Sequence, residues 1–185
     1  MTTAAALPQG EEIRLGEQEL IVSKTDLKGH LTYVNEVFVR VSGYERSELL
    51  GQPHSIIRHP DMPGAVFKLL WDTISTGNEI FAYVKNATKT GGFYWVLAHV
   101  TPSYDAAGRI VGYHSNRRCP DRAAIRRVEP LYRDLRQIER SMSRKAEAAA
   151  ASLAHLQDTL RGANLTYEEF VWRVIHGQKT GLIDE

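Results

Sequence analysis

Gln52-Pro53-His54-Ser55-Ile56-Ile57-Arg58-His59-Pro60-Asp61-Met62-Pro63 places two histidines, an arginine and an aspartate within eight residues, framed by three prolines. Proline fixes φ near −65° and pushes the residue before it out of the α region. His59 is therefore expected to be extended and Met62 to end a turn. Pro63 is suited to open a helix. Charged side chains on so stiff a segment read either as a binding rim or as polar punctuation between two elements. What lies on either side decides between them.

Upstream, Leu20-Ile21-Val22-Ser23 is a short apolar strand. Thr25-Asp26-Leu27-Lys28-Gly29 is a turn, and His30-Leu31-Thr32-Tyr33-Val34 returns as the second arm of a hairpin. Asn35 is a good N-cap for a helix carrying Val37, Phe38 and Val41 up to Gly43. Ser47-Glu48-Leu49-Leu50-Gly51 marks a second, shorter helix.

Downstream of Pro63, the residues Val66, Phe67, Leu70, Trp71 and Ile74 trace one helical face, and Gly77 stops it. Three strands follow, at residues 80–86, 93–101 and 110–116, with turns at Gly91-Gly92 and at residues 105–108. The middle strand puts Tyr94, Val96, Ala98 and Val100 on one face and Phe93, Trp95, Leu97 and His99 on the other. Both faces are largely apolar, so both are expected to be covered. Two strands, short helices, then three hairpin-linked strands make an α+β pattern with an antiparallel sheet and helices on one side. A cup of this kind holds a small molecule between sheet and helices.

The character changes at Pro120. Pro130 is read as interrupting one helical pattern and starting the next. From Val128, the residues Tyr132, Leu135, Glu139, Met142, Ala146, Ala149, Leu153, Leu156 and Leu160 fall at alternating a and d sites, with Glu139 as a charged break. One long helix with such a stripe needs a partner, and pairing with a second copy is expected over folding back. Thr166-Tyr167-Glu168-Glu169 is a capping box that opens a short last helix. The expected division is a flexible lead-in over 1–18, a sensor domain over 19–119, a helical linker or coiled coil over 120–162, and a terminal helix and tail over 163–185.

Composition narrows the class. The 185 residues are 43% hydrophobic, enough for a core. Net charge is +1, but residues 117–145 alone carry 10 basic and 4 acidic groups. So basic a stretch can meet nucleic acid, an anionic membrane surface or an acidic partner. On a helix it is more often a solvated face, and no nucleic-acid partner is expected. Cys119 is the single cysteine, which rules out an internal disulfide and a cysteine-rich metal site. No signal peptide and no membrane span is read in the sequence, so a cytoplasmic location is expected. No nucleophile sits at usable spacing from a base and no glycine-rich phosphate loop is present, so no enzyme is expected.

The string Ile57-Arg58-His59-Pro60-Asp61-Met62-Pro63 carries a specific likeness, together with Val41-Ser42-Gly43-Tyr44, Val84-Lys85-Asn86 and Tyr94-Trp95-Val96. From about Leu20 to Leu135 the chain resembles the FAD-binding PAS domain of bacterial aerotaxis receptors. It also resembles the soluble PAS partner of bipartite energy-taxis systems. The resemblance implies a five-stranded PAS fold with FAD between sheet and helices. It implies that Arg58, His59 and Asp61 serve FAD binding, that Asn35 and Trp71 belong to the pocket, and that Asn86 meets the polar edge of the ring. His114 falls where the light-sensing LOV subgroup has a glutamine near the flavin. It further implies redox or energy sensing passed on to a chemotaxis receptor or other signalling protein. Two departures stand out. Ile80 replaces a family tryptophan, and the LOV adduct cysteine is absent, which excludes flavin–cysteine photochemistry.

From the residues themselves, Trp71, Phe81, Tyr94 and Val96 can wall a flat ring, Asn86 can both donate and accept, and Arg58 offers a fork for phosphate. Asp61 can instead hold Arg58 in place. His54 and His59 leave haem as the alternative cofactor, since neutral imidazole ligates iron. A zinc site is rejected for want of converging ligands.

Overall fold

The computed structural model describes residues 10–182. Strands β1 (Leu20–Thr25) and β2 (Leu31–Val34) form the first hairpin. Helices α1 (Glu36–Ser42) and α2 (Arg46–Leu49), a 3-10 turn (His54–Ile57) and helix α3 (Gly64–Ile74) cross over to β3 (Ile80–Ala87), β4 (Phe93–Tyr104) and β5 (Ile110–Arg118). All pairings are antiparallel, in the spatial order β2-β1-β5-β4-β3. The last strand thus lies beside the first and closes the sheet around its middle.

The hairpins set which residues face the cup. Asn86 pairs with Tyr94, Val84 with Val96 and Ala82 with Ala98. Val100 pairs with Ser115, and Val22 with Asn116. Because strand neighbours point to opposite faces, Asn86, Ala98, Val100 and Ser115 share the face under α3, and Trp95, Leu97 and His99 share the other. The reading of two covered faces holds. Helices α4 (Arg122–Arg140) and α6 (Tyr167–Ile175) lie on the outer one. Tyr132 of α4 donates from its hydroxyl to the Tyr83 carbonyl at 2.7 Å. Phe81 stacks on His99 with ring centroids 4.1 Å apart and meets Trp172 of α6 at 5.5 Å.

Three expectations are corrected. Residues 11–15 belong to the segment read as a loose lead-in, yet they run along the start of β4. Phe93 donates to the Glu11 carbonyl at 3.0 Å, Ile13 donates back to Phe93 at 2.8 Å, and Leu15 is buried. An unpaired strand end accepts such an addition because its backbone groups need partners. Residues 1–9 of that lead-in lie outside the described residues. Second, α4 runs through Pro130 without a break.

The third correction is larger. The chain turns at residues 141–144, and α5 (Lys145–Gly162) folds back on α4 and α3. Most of the stripe read as a coiled-coil seam is thereby covered inside one chain: Leu135, Leu153, Leu156 and Leu160 are buried, while Met142 and Ala146 beside the turn stay exposed. For α5 the partner helix is α3. Its second side, with Ala65 and Leu69, was not counted as apolar when only the Trp71 face was traced. With that surface adjacent, loop closure over four residues costs less than recruiting a second chain. The capping box of α6 forms as read, with the Glu169 carboxylate accepting from the Thr166 amide at 2.7 Å.

If α5 is docked in this way, Leu156→Ala should remove about 2–5 kcal/mol of unfolding free energy, as large-to-small changes in a packed core do. Urea denaturation measures it. A loss under about 1 kcal/mol would place Leu156 on an open surface.

Candidate functional site

Sheet and helices enclose a cavity of about 270 Å³, near the lower end of the roughly 300–1,000 Å³ found for small-molecule sites. Its floor is the inner face of the sheet, with Ser23 from β1, Asn86 from β3, Ala98 from β4, and Ser115 and Arg117 from β5. Its wall is α3, with Phe67, Leu70, Trp71 and Ile74 one or two turns apart. Its rim is the proline-framed stretch, through Pro53, His54 and Arg58, together with the β1–β2 turn at Lys28 and Gly29.

The two aromatic wall residues are each held by a specific contact. Trp71 meets Tyr113 edge-on, with centroids 5.4 Å apart and planes at 85°. Gly29 has φ +81°, and a Cβ there would lie 2.9 Å from the Trp71 ring. Only glycine serves at that turn, because it accepts the left-handed backbone and leaves the indole its place. The Arg58 guanidinium sits 3.8 Å over the Phe67 ring, a cation–π arrangement that suits a part-buried arginine. Burial lowers the Arg58 pKa, and the Glu139 carboxylate opposes that shift.

The electrostatic centre is Arg117. Its side chain is buried, and no carboxylate pairs with it among the described residues. Nη2 donates to the Ser23 hydroxyl and to His54 Nε2, and the guanidinium lies 5.1 Å from the Phe38 ring centroid. Burial pulls its pKa down to about 10, so it still carries its charge at neutral pH. His54 is pushed well below its ordinary value, first by burial and then by the Arg117 charge. A neutral imidazole can accept through Nε2, which matches the bond from Arg117.

Three polar atoms of lining residues make no hydrogen bond of good geometry: Asn86 Nδ2, which lies beside the Tyr94 hydroxyl, Ser115 Oγ and Arg117 Nη1. A buried polar group without a hydrogen bond costs about 1–3 kcal/mol, and more when charged. Buried polar groups are nearly always satisfied. Two donors and a hydroxyl thus belong to residues that line one cup, where a ligand carrying acceptors would complete them.

The residues read from the sequence divide into two groups. Arg58, Trp71 and Asn86 line the cavity. Asn35, His59, Asp61 and His114 do not. Asn35 caps α1 by accepting from Phe38 at 3.1 Å, and it ties α1 to β1 by accepting from Val22 at 3.0 Å and donating to Leu20 at 2.8 Å. His59 Nδ1 accepts from the Asp61 amide at 3.1 Å, and its ring meets Phe93 edge-on. Asp61 stands 3.3 Å from Lys85 and 3.8 Å from Arg140. These side chains brace the rim against β3 and α4 from outside the cup. His114 is a correction: it pairs with Thr101 and Lys24 and faces away from the cavity. Its neighbours Tyr113 and Ser115 point in. The slip is one residue, which in a strand exchanges the faces. Of the other proposed walls, Phe81 lies on the outer face against His99.

Sequence reasoning missed Arg117 and Ser115 and read His54 only as an alternative haem ligand. Arg117 was counted with the basic stretch that follows it. Its signal was parity, since Tyr113, Ser115 and Arg117 alternate on the face opposite His114.

Comparison with known proteins agrees with this geometry. Residues 31–117 match the model of the PAS fold. The aerotaxis receptor of Escherichia coli is 44% identical over 121 residues, which are 65% of this chain and 24% of that protein. The nitrogen fixation regulatory protein of Klebsiella pneumoniae is 24% identical over 83% of this chain and 30% of that protein. The chain thus spans under a third of the length of these relatives. Among solved structures, the dark state of the blue-light photoreceptor Aureochrome1 LOV aligns with a TM-score of 0.52 at 23% identity, over 64% of this chain and 86% of that one. An RNA-binding light-oxygen-voltage receptor aligns with a TM-score of 0.51 at 21% identity, over 65% of this chain and 34% of that one. At that identity these two speak for the fold alone.

The desolvated His54 gives a pH prediction. Its folded pKa lies below the unfolded value of 6.5. Above 6.5 neither state binds the proton. Below it the unfolded chain takes one up and the folded chain does not, so stability falls with pH until the folded pKa is reached. His54→Gln should flatten the fall between pH 6.5 and 5 in urea titrations. An unchanged slope would mean that His54 titrates freely.

The enclosed cup, the strand order and the matched segment agree: residues 31–117 take the PAS fold, and the chain is similar to the aerotaxis receptor over 121 residues.

Proposed function

We propose that this chain is the sensor module of a signalling protein, and that it binds FAD in the cup and reports redox or energy state to a chemotaxis-type partner. The observation that carries the reading is the set of polar atoms without a well-formed hydrogen bond, Asn86 Nδ2, Ser115 Oγ and Arg117 Nη1, on residues lining an aromatic-walled cavity. The residues present fit a flavin. Trp71 and Phe67 offer flat walls, Asn86 and Ser115 offer polar groups for a ring edge rich in carbonyls and nitrogens, and Arg117 offers a buried positive charge. Arg58 and Lys28 stand at the rim, where a phosphate-bearing tail would leave the cup. The likeness to an aerotaxis receptor supports the same choice.

When bound, the flavin supplies reversible electron transfer, with a gain of negative charge or a proton at its ring. The chain's part is to respond to that change. Arg117 holds a charge that strengthens its bonds to any anionic edge, and its second nitrogen is shared with Ser23 and His54. A stronger pull on Nη1 loosens that sharing and loads β1 and the rim. Asn86 and Ser115 hold positions on the two strands flanking β4. The outer face of the same strands carries α4 and α6, so a small shift in the sheet reaches the C-terminal helices. The lining contains no carboxylate and no thiol, so we infer sensing, not catalysis. Haem is the weaker reading, because Nε2 of His54, the imidazole in the lining, is engaged by Arg117. The seam that would have paired two copies is used within one chain, so we assign output to a separate signalling protein. Among the described residues no helix is long and apolar enough to cross a membrane.

The absorption spectrum of the purified protein, alone and after reconstitution with FAD, tests the reading. Flavin bands near ~450 nm that remain after gel filtration are expected. Arg58→Ala should lose about 1–3 kcal/mol of affinity, the scale of a hydrogen bond to a charged group. A protein that stays colourless after reconstitution, or carries a Soret band, would overturn the flavin assignment.

A further inference from the structure

Helix α3 begins without a cap of its own. Pro63 precedes Gly64, and neither supplies a side-chain oxygen for the first amides. The acceptor comes from the last turn of α4. Glu139 Oε1 accepts from the Ala65 amide at 3.1 Å and from the Ser152 hydroxyl of α5 at 2.6 Å. Oε2 accepts from Arg136 at 2.8 Å. The side chain read from sequence as a charged break in an apolar stripe is thus a buried carboxylate joining three helices, 7% exposed.

The approach is close enough to constrain the sequence. A Cβ at Gly64 would stand 3.0 Å from the Ala149 Cβ and 3.3 Å from Glu139 Oε1. Burial alone would raise the Glu139 carboxyl, but the Ser152 hydroxyl, the Gly64 and Ala65 amides and Arg136 outweigh it and hold the pKa below 4.5. The charge sits at the positive end of α3, where a helix favours an anion. It also opposes the loss of charge on Arg58, one turn of loop away. On the same loop, Asp61 pairs with Arg140 of α4. Residues 58–65 are therefore held at one end by the cavity, through Arg58 on Phe67, and at the other by the α4–α5 hairpin.

We propose that Glu139 is a positioning residue for the ligand-binding loop, and that its bonds to Ala65 and Ser152 make occupancy of the cup and docking of α5 depend on each other. The second half rests on the reading that the cup takes FAD. By linkage, a ligand that favours the placed loop tightens the docking of α5 by the factor with which docking tightens the ligand. The pair of helices then carries the output: it senses the cup from the loop side as well as through the sheet.

Hydrogen exchange and FAD titration test this on the whole chain. Ser152→Ala removes one bond to Glu139 from a buried position on α5 and touches nothing in the cavity. Glu139→Ala removes them all. In the ligand-free protein, the amides of residues 64–67 should exchange faster in both variants. This holds whatever the ligand is, and unchanged exchange in Ser152→Ala would overturn the positioning role. With FAD, α5 amides of the wild type should become more protected, and Ser152→Ala should bind FAD about fivefold more weakly or worse, the lower end of usual coupling factors. Equal affinity and no protection of α5 in a wild type that does bind FAD would overturn the coupling. A wild type that binds no FAD would instead sink the flavin reading and the coupling with it. The loop exchange would still decide the positioning role.

Discussion

The pleat of the three central strands is the constraint on which the rest depends. A strand sends successive side chains to opposite faces, and here both faces are covered. On β5, Tyr113, Ser115 and Arg117 enter the cup while His114 and Asn116 face the other way. On β3, Val84 and Asn86 enter while Tyr83 meets α4 through its carbonyl. Every polar group on the cup floor is there by parity, and each is bound to an outward neighbour that touches a helix or solvent. A displacement at the cup floor cannot stay local, because a packed sheet moves as a unit.

Within that frame the cup has an unusual charge balance. Arg117 is a buried cation with no buried anion beside it, and a neutral histidine is its nearest nitrogen partner. Desolvating a charge without a counter-charge is expensive. A fold tolerates such a group where a bound molecule completes it, and perturbed groups in a cleft mark functional sites. The proline-framed rim contributes differently. Only His54, Ser55 and Arg58 of its polar residues reach the cavity, while His59 and Asp61 clamp the rim to β3 and α4. Loss of Asp61 would thus disturb ligand binding by releasing the loop, without any contact to the ligand.

Much of the fold was legible because it rests on local rules. Strand alternation, the glycine and aspartate turns, the N-caps at Asn35 and Thr166 and the helical face through Trp71 all follow from residues near one another in the chain. The site was legible in part. Arg58, Trp71 and Asn86, named from the resemblance, line the cavity, and their surroundings repeat a specific pattern. His114 was misplaced by one residue, because register along a twelve-residue strand such as β4 is set by a distant hairpin and by the shift near Tyr104. Arg117 was hidden by its company: six arginines lie within the next nineteen residues, and a charge run draws the eye to solvent.

What the sequence determined alone is the set of elements, the sheet's two apolar faces and a stiff rim beside an aromatic helix. Proline, glycine and apolar period act over a few residues, so they need no partner to be read. What only the tertiary structure decided is pairing at a distance. An a/d stripe says that a helix must be covered but not by what, and here α3 covers the α5 half while the outer face of the sheet meets α4. A glutamate in that stripe says that a charge is present but not which amides it meets. Those amides belong to Gly64 and Ala65, beside the loop that opens the cup. Burial energies depend on which surfaces arrive together, and that is a property of the closed chain.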